Sequence, residues 1–190
     1  MRQDGKSIET SFSRRACSLR SIFVNDSNKL QLSEIEKLEN SLVFPHFTAQ
    51  DAWMLGVCLR DRILSLTQKP VVINISLANS NQLLFHTATT SGTQPDNDIW
   101  VSRKRKTVLR WCMSSWYMHN KMGGDEVRFR EKYALGDRVG EYAIHGGGVP
   151  LRVNGVEGVV AVVVVSGLKQ EEDHMVIIEC MEEYLRKLKS

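Results

Sequence analysis

Ser166, Asp173 and His174 bring the residue types of a nucleophilic triad into one short segment near the C-terminus. Such a triad needs the carboxylate to orient the imidazole, and adjacent side chains on a helix point about 100° apart. Asp173 is therefore badly placed to orient His174. A structural role fits better, because Glu171, Glu172 and Asp173 would fall in the first turn of a helix, where its dipole favours carboxylates.

Upstream, His145-Gly146-Gly147-Gly148 looks like an oxyanion-hole loop. An α/β-hydrolase would also need a Gly-x-Ser-x-Gly elbow, and Val164-Val165-Ser166-Gly167-Leu168 lacks its first glycine, with only 42 residues left after Gly148. Esterase chemistry is not expected. Three glycines still let backbone N–H groups approach a ligand or another chain, and His145 and His174 would supply tunable polar contacts in a shared pocket. The plain alternative is a tight turn between helix and strand.

Arg103-Lys104-Arg105-Lys106 lies near Trp100, Trp111 and Trp116, a composition sought in nucleic-acid binders. Four consecutive charges on a helix fan around its circumference and form no single groove-reading edge, so most of them are expected to be solvated. Arg103 or Lys104 would contact an anion, while Trp100, Val108, Leu109 and Cys112 would pack inward. Asp96-Asn97-Asp98 reads as helix-capping chemistry. The candidate ligand-binding or assembly set is Asn97, Trp100, Arg103, Lys104, His145, Gly146, Gly147, Ser166, Gly167, Asp173 and His174, with no catalytic residue and no metal ligand assigned.

These residues need a scaffold, and Val159 to Val165 supplies its centre. Seven apolar residues without alternation, six of them valine, are poor helix formers and predict a strand buried on both faces, with helices on either side. Its polar exit at Ser166 is where α/β proteins place functional loops. Ahead of it, a helix is predicted over Ser33 to Leu42, with Ser33 as cap, and another from Thr48, boxed by Asp51, as far as Lys69-Pro70. Val71 to Leu77 and Leu83 to Thr89 read as a hairpin. Helices over Ile99 to Trp116 and Glu126 to Tyr133, a strand at Val149 to Val153, a turn over Asn154 to Gly158, and a terminal helix from Glu171 to Lys189 complete the reading.

At 190 residues, 42% apolar and 25% charged, the chain suits one globular domain. No apolar run approaches the roughly 20 residues of a membrane span. Four scattered cysteines without a Cys-x-x-Cys pair suggest neither a disulfide framework nor structural zinc, and fit a reducing cytosol. The segment up to residue 30 carries a surplus of three positive charges, equal to the whole chain's +3. The neutral remainder gives no reason to expect nucleic acid. Residues 1–32 read as a mobile leader whose Asp4 and Glu9 argue against a mitochondrial transit peptide, and residues 33–190 as the single domain.

Phe47 with Asp51-Ala52-Trp53 and Leu55-Gly56, Asp96-Asn97-Asp98-Ile99-Trp100, Arg103-Lys104, Ser114-Ser115, His145-Gly146-Gly147, and Ser166-Gly167-Leu168 through Asp173-His174 together resemble the haem-degrading, HbpS- and GlcG-like family. The match runs from about Ser33 to the terminal helix, in the branch that has fungal members. The resemblance implies an α/β (α+β) domain with a profilin- or PAS-like, largely antiparallel sheet, helices on both faces, and assembly into a homo-oligomer. It also implies a cytoplasmic binding or adaptor protein linked to chaperone-mediated delivery of tail-anchored membrane proteins, with cytosolic chaperone components as partners. The alternative is a haem-binding or haem-degrading protein, with haem as cofactor. Activity does not follow from fold, and a non-enzymatic role is the expectation.

Overall fold

A computed structural model describes residues 28–189. The expectations for the leader's residues 1–27 lie outside the described residues. Its first helix, α1 (Asn28–Ser41), begins before the predicted cap, so Ser33 lies inside the helix and the division at residue 32 falls within it. A short strand β1 (Val43–Phe44) leads to α2 (Ala49–Leu66). There Thr48 Oγ1 accepts from Asp51 N and Asp51 returns a bond to Thr48 N, the predicted capping box.

Strands β2 (Val72–Leu77) and β3 (Leu83–Ala88) form the predicted antiparallel hairpin. The following helix, α3 (Pro95–Trp111), starts four residues earlier and stops five earlier than the pattern suggested. Pro95 suits a first helical position, where no N–H is needed, and Gln94 rather than the Asp96-Asn97-Asp98 run is the cap. Asn97 closes the box by accepting from Gln94 N at 2.8 Å. At the other end Cys112 takes φ +54° and ends the helix, exposed to solvent rather than packed in the core. Two further helices, α4 (Ser115–Met122) and α5 (Glu126–Lys132), and a 3₁₀ turn at Gly136–Glu141 lead to β4 (Gly148–Val153), β5 (Ala161–Ser166) and α6 (Gln170–Lys189).

The sheet order is β1-β4-β5-β2-β3, antiparallel except for the β1–β4 pair. The valine strand β5 is therefore central, and all six of its residues are buried. Ala161, Val163 and Val165 face a large core with Leu55, Leu59 and Ile63 of α2 and Ile177 and Met181 of α6. Val162 and Val164 face the other way, onto Val101 and Val108 of α3. Two-sided burial of a run without alternation is what the sequence demanded. Gly56 of α2 admits the sheet closely, since a Cβ there would lie 2.5 Å from the Phe85 ring.

Candidate functional site

At the C-terminal end of β5 the first turns of α3 and α6 meet around a pocket of about 280 Å³. Asn97, Trp100 and Lys104 reach it from successive turns of α3, at helical spacing on one face. His145 comes from the loop before β4, and Ser166, Gly167 and Asp173 from the end of β5 and the start of α6. The structure thus brings together seven of the eleven residues singled out in the sequence, and adds Leu168 and Gln170.

Lys104 and Asp173 form the inner wall. Lys104 Nζ donates to Asp173 Oδ2 and to Val165 O, both at 2.9 Å, with each side chain only 3% exposed. Leu168 N donates to Asp173 Oδ1 at 3.0 Å. Burial pulls the Lys104 ammonium below its ordinary value and pushes Asp173 up, while their mutual attraction opposes both shifts.

The outer wall is aromatic. The His145 ring meets Trp100 edge-on at 4.9 Å, and its Nδ1 lies 3.5 Å from Glu126 Oε1. Burial lowers the His145 pKa, with Glu126 opposing, so the imidazole is neutral at neutral pH. Trp100 lies against the pocket instead of in the core, its Nε1 donating to Asp96 at 3.0 Å.

Four of the eleven residues take other places. Arg103 lies over the Trp100 ring at 4.5 Å and donates to Tyr142 O at 3.1 Å. His174 does not share a pocket with His145. It is fully buried, 3.8 Å from Glu39 Oε1 and 6.2 Å from the Trp116 ring, and burial depresses its pKa to about 3. Asp173 and His174 diverge because consecutive positions face different sides of α6.

Gly146 and Gly147 shape the site from behind. Two N–H groups of the glycine loop are taken up inside the protein. Gly146 N donates to Gln170 Oε1 at 3.4 Å and Gly148 N to Ser115 Oγ at 2.9 Å. Close packing is the reason for the glycines. Gly147 has φ +105°, and a Cβ there would lie 2.5 Å from Val165 O and 2.8 Å from Lys104 Nζ. Thr107 Oγ1 ties the preceding segment to α3, donating to Ala143 O at 2.8 Å and accepting from Ala143 N.

The basic run is fully engaged, against the expectation of a largely solvated face. Beyond Arg103 and Lys104, Arg105 donates to Ser76 Oγ and Leu77 O, and Lys106 pairs with Glu141 at 3.0 Å. Sequence reasoning missed Gln170, whose one signal is its place at a helix start. It also missed the buried Glu39 of α1, for which the sequence carries no signal. Among the described residues no group of three or more His, Cys, Asp or Glu side chains is arranged to hold a metal ion.

This layering, with a polar pocket at the exit of the central strand, defines a class of small α/β domain. The chain belongs to the HbpS-like haem-degrading protein family, whose model matches residues 47–182. It is 40% identical to UPF0303 protein YBR137W of Saccharomyces cerevisiae over 82% of this chain and 84% of that protein. UPF0303 protein SCO2848 of Streptomyces coelicolor is also 40% identical, over 81% and 93%. The crystal structure of the Ybr137w protein superposes with a TM-score of 0.77 at 38% identity, covering 84% of this chain and 90% of that one. The crystal structure of HbpS, at 18% identity and a TM-score of 0.56, covers 73% and 89% and shares the fold.

Proposed function

We propose that the chain is a cytosolic, homo-oligomeric binding protein of the HbpS-like family, its ligand held in the pocket between α3, β5 and α6. The observation that carries this reading is the meeting of a buried lysine–aspartate pair and a neutral imidazole at one opening. Perturbed titratable groups in a concave site are the usual mark of a place where a small molecule binds. Asn97 and His145 orient a polar ligand, and Trp100 covers its apolar part.

One structural relative is the crystal structure of a PduOC–haem complex, at 16% identity and a TM-score of 0.56. Haem fits this chain's pocket poorly. At about 280 Å³ the space falls just below the roughly 300–1,000 Å³ of small-molecule sites. A macrocycle has no enclosed place there, and no step is derived through one. The pocket suits a smaller ligand.

The adaptor role implied by the sequence resemblance belongs to the same proposal, with cytosolic chaperone components that deliver tail-anchored membrane proteins as partners. Trp53 and Leu83, 57% and 54% exposed, lie on α2 and on the edge strand β3 and offer apolar surface for assembly. Light scattering during a hemin titration tests assembly and cofactor together. The expected result is an oligomer with no Soret band. A monomer would remove the assembly claim, and a Soret band lost in His145→Ala would replace the small-ligand reading with a haem one. Pull-down from cytosolic extract with identification of chaperone components tests the adaptor role, and their absence would refute it.

A further inference from the structure

The Lys104–Asp173 pair is more than a clamp between α3 and α6. A buried ion pair is a weak source of stability, because removing both charges from water offsets most of their attraction. This one is also not sealed in the core, since both side chains form pocket wall.

Resting on the reading of the pocket as a ligand site, we propose that Lys104 captures a small aldehyde there as an imine. Three observations support it. A lysine 3% exposed, in contact with a carboxylate 2.9 Å away, has its proton acceptor in place, and burial already favours the uncharged amine. Gly147 is what lets the amine stand at that point of the wall, since any Cβ there would lie 2.8 Å from Nζ. The Trp100 ring and the His145 imidazole beside it give a flat aldehyde an apolar face and a polar edge.

The step balances without an oxidant or cofactor. Lys104 passes one ammonium proton to Asp173, and the free amine attacks the carbonyl carbon, forming a C–N bond as the carbonyl π bond breaks. The carbonyl oxygen takes a proton from the attacking nitrogen, giving a neutral carbinolamine. Asp173 then returns its proton to that hydroxyl as the C–O bond breaks. Water leaves, and a protonated imine faces a restored carboxylate.

The test treats the full chain with benzaldehyde and cyanoborohydride and maps the reductively trapped benzyl group by peptide mass spectrometry. Simple accessibility predicts that Lys106 and Lys187, 45% and 64% exposed, react first and Lys104 last. The proposal predicts the reverse, with Lys104 labelled roughly tenfold faster than either. Asp173→Asn, which keeps the side chain's shape, should slow labelling at Lys104 alone by roughly a hundredfold. Labelling confined to surface lysines overturns the proposal, as does labelling at Lys104 that is indifferent to Asp173→Asn. Benzyl alcohol, which has the same ring without the carbonyl, separates this claim from the reading beneath it. If it shifts the His145 ring resonances while Lys104 stays unlabelled, the pocket stands and the imine falls. If it shifts nothing and Lys104 stays unlabelled, both fall.

Discussion

Glu39 Oε1 of α1 lies 3.8 Å from His174 Nε2 of α6, with 2% and 0% of the two side chains exposed. Glu39 also accepts hydrogen bonds from the Ser114 hydroxyl and backbone N–H. Burial pushes the Glu39 carboxyl from 4.5 to about 7 against those bonds and the nearby Arg152 charge. His174 falls from 6.5 to about 3 through burial, with Lys104 adding to the shift.

Opposite dependences on pH follow from these two shifts. Between pH 4.5 and about 7 the folded chain keeps a Glu39 proton that the unfolded chain has released, so stability falls as pH rises. His174, with its folded value depressed, makes stability fall as pH drops below 6.5. From pH 4.5 to 6.5 the two slopes cancel. In Glu39→Gln only the histidine slope remains. Relative to wild type, the variant should gain about 3 kcal/mol between pH 4.5 and 8. Urea denaturation across that range measures it, and a constant difference between the two proteins would refute the assignment.

Gly147→Ala should cost more than about 3 kcal/mol or prevent folding, because a positive φ and three contacts under 3 Å combine. Gly155, at φ +74° with nothing within 4 Å, isolates the backbone contribution. Its alanine variant should cost only about 1 kcal/mol. Equal losses in the two midpoints would show that packing at Gly147 is unimportant.

Lys104→Met strands the Asp173 carboxyl in the protein and should cost about 3–5 kcal/mol. Adding Asp173→Asn replaces the stranded acid with a neutral acceptor for Leu168 N and should recover a large part of that loss. Thermal melts of the two variants provide the comparison. A double variant no more stable than Lys104→Met would mean that the charge was not the source of the damage.

Val163→Thr and Val164→Thr bury a hydroxyl on opposite faces of the same strand, and each should cost about 1–3 kcal/mol. Tolerance of either one, measured by chemical denaturation, would contradict a sheet covered on both sides.

Much of the scaffold was legible because local rules govern it. The Thr48–Asp51 box, the hairpin on either side of Ala78 to Gln82 and the doubly buried valine strand each follow from neighbouring residues. Boundaries held less well where a local signal had competitors. Ser33 carries capping chemistry inside α1, and the run from Ile99 to Trp116 is broken because Cys112 adopts a left-handed turn.

The sequence by itself determined four of the five described strands and most of the helices, since period and propensity act between residues close in the chain. Only the tertiary structure decided partners. It set Lys104 against Asp173 across 69 positions, placed His174 beside Glu39 instead of His145, and fitted Gly147 against the inner wall of the pocket. The energies that select such contacts come from burial and close packing between distant segments, and neither leaves a mark in the spacing of residues along the chain.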